Sequence, residues 1–278
     1  MNATAQILAE QMNWAAGAGL SPNAAGYLPN WQDNLARPLS DSARIAFQRG
    51  AGSELVQTAD GPPKMGALHS SAALAVNFFD FWTERSLEPL AAALDLGQTP
   101  DCFSFESTFS TSLRGTPPTL DVAFRNTNGS VVGVESKFTE WLAPKVHGGN
   151  NFAPSYFPDG PGLWAAVGLE GAQSLTNDLR TTNARFRYLD VAQLLKHMLG
   201  LATQHRGAAS LYYLFYDWPS CPESALHRAE LEVFCARIGS DLPFRWASYQ
   251  EVFARFTSAF SAEHGTYLQY LKRRYFRN

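Results

Sequence analysis

Residues 119–140 read TLDVAFRNTNGSVVGVESKFTE and form two short apolar runs joined by a polar turn. Side chains alternate along a strand, so Asp121 faces away from its apolar neighbours in the first run. The Asn-Gly pair at 128–129 is a strong signal for a hairpin. In the return run, Glu135 and Lys137 share one face. An antiparallel hairpin is therefore predicted to bring the two acids and the amine to one place.

This combination of charges has a definite chemical use. Two neighbouring carboxylates repel each other, and a divalent cation removes that conflict. Hard ions such as Mg²⁺ take oxygen ligands, usually one or two carboxylates with water and substrate phosphate oxygens. A lysine beside them adds a positive charge that can orient an attacking water or stabilise a developing negative charge. The pattern favours phosphodiester hydrolysis, although an exposed hairpin with solvated charges would also contain such residues.

The spacing carries a family resemblance. Asp121, followed fourteen positions later by Glu135-Ser136-Lys137, resembles the D…(D/E)xK signature of the PD-(D/E)xK nuclease superfamily, which has the restriction-endonuclease-like fold. The usual Pro-Asp pair is absent, because Leu120 precedes the aspartate. The resemblance implies an α/β protein: a restriction-endonuclease-like core whose central mixed β-sheet is flanked by helices in the order α-β-β-β-α-β.

The resemblance also implies roles for the residues that match the signature. Asp121 and Glu135, with the carbonyl of Ser136, would hold one or two Mg²⁺ ions, and Mn²⁺ is expected to substitute. Lys137 would orient or help deprotonate the attacking water. The expected activity is that of a Mg²⁺-dependent deoxyribonuclease, of restriction-like endonuclease type. The rival interpretation is a non-catalytic nucleic-acid-binding or assembly protein of the same fold.

A strand is predicted over 101–111, immediately before the hairpin. Alternation places Glu106 on its small, polar face, the side predicted for Asp121. Glu106 is therefore a candidate third catalytic acid that completes or supports the metal site. The alternative is a structural ion pair with Arg114 or Lys137, and the sequence does not separate the two.

Helices and a further strand complete the expected core over 68–217. Ser70 or Ser71 is predicted to cap a largely apolar helix before the first strand. Apolar residues at helical spacing predict a second core helix over 189–205, and the run 210–217 reads as a central, buried strand.

The polar side of the second core helix is a candidate nucleic-acid interface. Gln193, Lys196 and His197 fall on adjacent turns of that side. Related nucleases often carry a Gln, Lys or aromatic residue on this helix that reaches the active site. The resemblance therefore implies Gln193 and Lys196 as nucleic-acid contacts, against the alternative of a solvated helix face.

The remaining segments are expected to be elaborations of this core. Residues 1–66 read as an accessory region of short helices and loops, and residues 67–278 as the nuclease-like domain. That domain carries an irregular insertion over 141–185 and a helical extension over 219–278. Basic residues in or near the insertion are candidates for phosphate contacts or, equally, scattered surface charges: Lys145, His147, Arg180, Arg185 and Arg187. The tail interleaves cations with aromatic rings, as in base-stacking surfaces or in a helical end that packs down: Tyr270, Lys272, Arg273, Arg274, Tyr275, Phe276 and Arg277.

Composition bounds the possible classes of protein. Hydrophobic residues make up 45% of the 278, enough for a large core, which excludes a disordered chain. The formal charge of −3 excludes a uniformly basic nucleic-acid-binding surface, so DNA contacts must come from a local patch. Three cysteines without zinc spacing, no signal peptide and no membrane-length apolar run lead us to expect a cytoplasmic protein that acts on DNA and not at a membrane. Many nucleases of the family that the chain resembles act as dimers, so the resemblance makes a homodimer one expected form.

Overall fold

The computed structural model of this chain describes residues 2–50, 53–59, 61–145, 152–181, 185–260 and 263–276. Within these ranges one five-stranded sheet forms the centre, in the order β1-β2-β3-β4-β5. Its strands are β1 Cys102–Thr108, β2 Thr119–Arg125, β3 Val131–Lys137, β4 Ala209–Phe215 and β5 Phe244–Ser248. The first three pair antiparallel, whereas β4 and β5 join in parallel, so the sheet is mixed, as predicted.

Helices surround this sheet on both faces. In the described ranges they are α1 Ala3–Gly17, α2 Asp41–Arg49, α3 Ser71–Phe79, α4 Glu88–Leu94, α5 Glu170–Arg180, α6 Val191–His205, α7 Pro222–Ile238, α8 Tyr249–Phe260 and α9 Gly265–Arg274. The order of α3, β1, β2, β3, α6 and β4 is the α-β-β-β-α-β order expected from the sequence. The α/β fold with a restriction-endonuclease-like core is confirmed.

The β2–β3 hairpin forms in the predicted register. Ala123 lies opposite Gly133, and the polar turn closes through a bond from the backbone N–H of Asn126 to the carbonyl of Ser130. Gly129 takes φ +86°, a conformation that glycine reaches without steric cost. Gly133 is constrained differently, because a Cβ there would clash with Leu120.

The two faces of β3 meet different helices. On one face the Ser136 hydroxyl lies 2.7 Å from that of Tyr249 in α8, whose ring packs edge-on against Phe78 of α3. On the other face Glu135 approaches α6 at His197. With both faces covered, β3 is almost wholly buried, so its two charged residues are held inside the protein and not on an open surface.

Helix capping explains where the two core helices begin. The Ser70 hydroxyl accepts from the backbone N–H of Ala73 at 3.1 Å, which starts α3 as predicted. Asp190 does the same for α6, accepting from the N–H of Gln193 at 3.0 Å. Both caps fix the register of helices that cover the sheet.

The N-terminal region packs directly onto the sheet. The ring of Phe47 in α2 lies 5.5 Å from that of Phe105 in β1. Asn34 donates to the carbonyls of Met65 and Ala67, which ties the loops of this region together. The region therefore shares the hydrophobic core of the strands.

Three local features differ from the sequence expectation. The strand predicted over 101–111 ends at Thr108, and the backbone then turns, with φ +63° at Ser112; Glu106, inside the strand, also has a positive φ, +48°. The helix α4 was not predicted, because its Ala-rich segment lacks clear amphipathic spacing. The segment 141–185, expected to be irregular, contains the amphipathic helix α5 near its end.

The tail forms α9, and its aromatic residues pack inward. Arg274 is only 2% exposed; its guanidinium lies 4.1 Å from the ring centroid of Trp14 and donates to Asn34. The hydroxyl of Tyr275 accepts from Asn77 at 2.9 Å. Arg274 is thus buried and not available to phosphates, whereas Lys272 and Arg273 are exposed. Arg277 lies outside the described residues.

Candidate active site

A fork between two strands creates the site. The backbone pairing of β2 with β3 extends only as far as Val122 and Val134, while β3 continues alongside β4 to its end at Lys137. The carboxylate of Asp121 enters the opening, and its Oδ2 accepts from the backbone N–H of Ser136 at 2.6 Å. A residue in a strand directs its N–H and C=O toward the same edge, so the Ser136 carbonyl also points toward the fork.

Glu135 lies at the centre of this fork and is 2% exposed. Its Oε1 lies 2.5 Å from the Nζ of Lys137, whose side chain is 15% exposed. Its Oε2 lies 3.0 Å from the Nε2 of His197 on α6. Among the described residues neither of the last two atoms has a well-aligned hydrogen bond, so this contact is close but not saturated.

The charged groups of this cluster shift one another's pKa values. Burial alone would raise the pKa of Glu135, but the positive charges of Lys137 and His197 prevail and lower it to about 2. Burial raises the pKa of Asp121 well above its ordinary value, and repulsion from Glu135 raises it further. Burial would lower the pKa of Lys137, but attraction to Glu135 and Asp121 raises it instead. Glu135 is therefore ionised and Lys137 protonated, and Asp121 resists adding a second negative charge.

Glu106 lies beside this cluster, but it forms no ion pair with any of the described residues. The pairs on either side of it in the β1–β2 register place it opposite Asp121, as predicted. The alternative of a structural ion pair with Arg114 or Lys137 is thus not observed. Burial, followed by the charges of Glu54 and Glu135, raises the pKa of Glu106 to about 7.

Two clefts open on either side of the first residue of β2, Thr119. One has a volume of about 590 Å³ and is lined by Glu106 together with Arg49 and Gly50 from the end of α2. The other has a volume of about 470 Å³ and carries the polar side of α6. Neither cleft is lined by Asp121, Glu135 or Lys137; Glu106 lines the first and His197 lines the second.

The predicted nucleic-acid contacts line the second cleft. Gln193 and Lys196 both face it, together with His197 and Asp190. The Nζ of Lys196 also lies 5.2 Å from the ring centroid of Phe152, in cation–π contact. The face of α6 that the sequence offered as a candidate interface is therefore the wall of a cleft next to Glu135.

The basic residues near the insertion are dispersed. Arg180 and Arg187 are exposed and lie over the rings of Phe157 and Tyr188, at 4.6 and 5.5 Å from their centroids. Arg185 is also exposed. None of these three lines either cleft. His147 lies outside the described residues.

Two members of the cluster were not predicted as site residues. His197 was noted only as a polar position on α6, and the available signal was its place one turn after Gln193. Glu54, from the N-terminal region, acts on Glu106 through its charge. It carried no sequence signal, because only the fold brings that region to the sheet. In the described ranges no three His, Cys, Asp or Glu side chains group closely enough to hold a metal by themselves.

Comparisons with known proteins identify the family of this chain. The family model REase-ARP, described as Restriction Endonuclease associating with ARP, matches residues 2–276. Neither the search of curated proteins nor that of solved structures finds a match. Among the described residues, no helix combines the length and apolar character needed to cross a bilayer.

Proposed function

Because this chain belongs to the family described as restriction endonuclease associating with ARP, we propose that it is a metal-dependent nuclease that hydrolyses phosphodiester bonds in DNA. The observation that carries this proposal is the fork between β2 and β3. There the Oε1 of Glu135 pairs with Lys137 at 2.5 Å, and Asp121 binds the backbone of Ser136, the residue between them. A merely solvated hairpin would leave these charges exposed, whereas here Glu135 is 2% exposed and lies against His197, a residue that lines the α6 cleft.

The donor set suits Mg²⁺, with Mn²⁺ as a substitute. Asp121, Glu135 and the carbonyl of Ser136 would hold it, and all three supply the oxygen ligands that these ions prefer. Two features support this fit: the raised pKa of Asp121, caused first by burial and then by Glu135, and the unsaturated Oε2 of Glu135. When bound, such an ion supplies positive charge that polarises a phosphate oxygen and acidifies water.

The other residues would act on water and substrate. Lys137 is held as an ammonium beside Glu135, which suits it to orient a water molecule and to stabilise negative charge on the phosphoryl group. Glu106, with a pKa of about 7, can accept a proton near neutral pH or orient a water. Gln193 and Lys196 would contact the DNA backbone from the wall of the α6 cleft.

The proposal is tested by DNA cleavage with matched variants. Wild type should cleave plasmid or linear DNA with Mg²⁺ or Mn²⁺ and not with EDTA. The variants Glu135→Gln and Lys137→Met should lose this activity, whereas Glu232→Gln, which removes an exposed acid of α7, should retain it. Undiminished cleavage by the first two variants would refute the assignment of the site.

A calorimetric Mn²⁺ titration separates the nuclease from a non-catalytic assembly protein of the same fold. A nuclease should bind Mn²⁺ in wild type and lose that binding in Glu135→Gln, while an assembly protein should show no site-dependent heat. From the family description we also propose that this chain associates with an ARP partner. A homodimer is likewise a proposal, and light scattering of the purified chain at several concentrations would test it.

A further inference from the structure

His197 is a buried polar residue that the proposed chemistry does not yet use. It lies on α6, is 2% exposed, and places its Nε2 3.0 Å from the Oε2 of Glu135. Among the described residues, neither of its ring nitrogens has a well-formed hydrogen bond. Buried polar groups usually find partners, so a histidine directed at one carboxylate oxygen calls for an explanation.

A second buried histidine shows what an ordinary core position looks like in this protein. His227 on α7 stacks on Trp141, with ring centroids 4.5 Å apart, and its Nε2 lies 3.1 Å from the hydroxyl of Tyr213. Burial, then the charges of Lys145 and Arg228, lowers its pKa to about 3, so it is a neutral packing residue. His197 differs because it faces an ionised acid.

The two contacts of Glu135 come from different elements. Lys137 holds Oε1 from the same strand, two residues away, so it follows any movement of β3. The Nε2 of His197 lies 3.0 Å from Oε2 and comes from α6, which also carries the cleft-facing Gln193 and Lys196. Only the histidine can therefore fix the carboxylate relative to the helix that faces the substrate.

We propose that His197 is a positioning residue of the active site, which holds the Oε2 of Glu135 from α6 and keeps that carboxylate in the orientation that receives the metal ion. This inference rests on the proposed function. Residues that orient metal ligands typically contribute about 10- to 100-fold to metal affinity or activity, although they do not touch the metal themselves. His197 need not touch substrate or metal to have this effect.

The test compares three variants of the full chain. His197→Phe keeps the ring and removes both nitrogens. His197→Gln places an amide nitrogen the same number of bonds from Cβ as Nε2. Leu199→Val shortens a buried side chain of α6 two residues away and controls for general loss of stability.

Mn²⁺ affinity by calorimetry and DNA cleavage kinetics are then measured for each protein. For His197→Phe we expect Mn²⁺ affinity and kcat to fall about 10- to 100-fold, with KM for DNA changed less than about twofold. His197→Gln should recover most of the loss, and Leu199→Val should bind Mn²⁺ as wild type does. Wild-type affinity and kcat in His197→Phe would overturn the inference, as would equal losses in the Phe and Gln variants.

A measurement without metal separates this inference from the proposed function. In EDTA, the losses of unfolding stability caused by His197→Phe and Glu135→Gln should be non-additive in the double variant, since the two side chains touch. Additive losses would overturn the inference whether or not the protein is a nuclease. If wild type neither binds Mn²⁺ nor cleaves DNA, the proposed function fails, and with it the metal-positioning role.

Discussion

Replacing Lys137 by Met should uncouple the stability of the protein from its activity. The change removes the ammonium that lies 2.5 Å from Glu135 and leaves a side chain of similar length. Glu135, 2% exposed, then keeps only the contact between its Oε2 and the Nε2 of His197, at 3.0 Å. Removing one partner of a buried ion pair is strongly destabilising, because the other charge stays desolvated.

The size of this loss of stability is worked from the lowered pKa of Glu135. Despite burial, the charges of Lys137 and His197 lower the pKa of Glu135 from 4.5 to about 2, which corresponds to about 3 kcal/mol in favour of the charged form. Measured losses for broken buried pairs are about 3–5 kcal/mol, of the same order. In EDTA at pH 7 we therefore expect Lys137→Met to lose about 3 kcal/mol, or about 6 °C in Tm for a domain of this size.

Adding a divalent cation should reverse that loss. An ion bound by Asp121 and Glu135 replaces the missing positive charge, so Mg²⁺ or Mn²⁺ should raise the Tm of Lys137→Met more than that of wild type. Saturation at about 100 times the dissociation constant supplies about 2.7 kcal/mol. Cleavage should nevertheless stay about 10²- to 10³-fold below wild type, the usual cost of losing a group that stabilises the transition state.

Differential scanning fluorimetry in EDTA and in metal measures both effects, with a Glu135→Gln, Lys137→Met double variant as the control. That double variant has no unpaired buried carboxylate at position 135. It should therefore melt at a higher temperature than Lys137→Met in EDTA, and metal should raise its Tm less. If Lys137→Met melts like wild type in EDTA, or if metal stabilises it no more than wild type, the assignment of charges in this site is wrong.

Three further predictions concern other parts of the molecule. Burial, followed by the charges of Glu54 and Glu135, raises the pKa of Glu106 in the folded protein to about 7. The stability that this group contributes is therefore fully present below its ordinary pKa of 4.5 and is lost as the pH rises through 7. In EDTA, Glu106→Gln should therefore match wild type in urea denaturation at pH 4.5 and exceed it at pH 8. Lys196→Ala should weaken DNA binding and reduce the slope of log affinity against log salt by about 0.9, with Mn²⁺ binding unchanged in calorimetry. Arg274→Met should leave DNA binding and its salt slope unaltered; for this variant and for Lys196→Ala, both are measured by fluorescence anisotropy of labelled DNA. Chemical denaturation should show a free energy of unfolding lower by about 1–3 kcal/mol for each buried oxygen of Asn34 that loses its hydrogen-bond donor.

The elements predicted correctly are those whose sequence pattern is local. The β2–β3 hairpin follows from alternation and an Asn-Gly turn, and α6 follows from apolar residues at helical spacing. The helix α4 escaped prediction because its residues are apolar around most of the helix, so tertiary packing defines it and periodicity does not. The early end of β1 was also missed, because the apolar alternation that predicted the strand continues in the sequence to Phe109.

The same distinction holds for the candidate site. Asp121, Glu135 and Lys137 lie on one hairpin, so alternation and register were sufficient to predict their convergence. His197 and Glu54 lie far away in sequence, and only the packing of α6 and of the N-terminal region brings them near. The proposed catalytic triplet is thus visible in the sequence, and the residues that set its charge and orientation are visible only in the fold.

The separation of β2 from β3 links the fold to the proposed chemistry. Parting the strands deprives the N–H of Ser136 of a backbone partner, and a buried unpaired N–H is costly. Asp121 supplies the acceptor at 2.6 Å, so this carboxylate closes the sheet at the point where the site opens. Its other oxygen, Oδ1, is not needed for that bond and would be available to the proposed metal ion. Asp121→Asn keeps an acceptor for Ser136 while removing the charge, whereas Asp121→Ala removes both. The two variants should therefore lose activity alike but differ in stability, because the acid has one structural oxygen and one proposed catalytic oxygen.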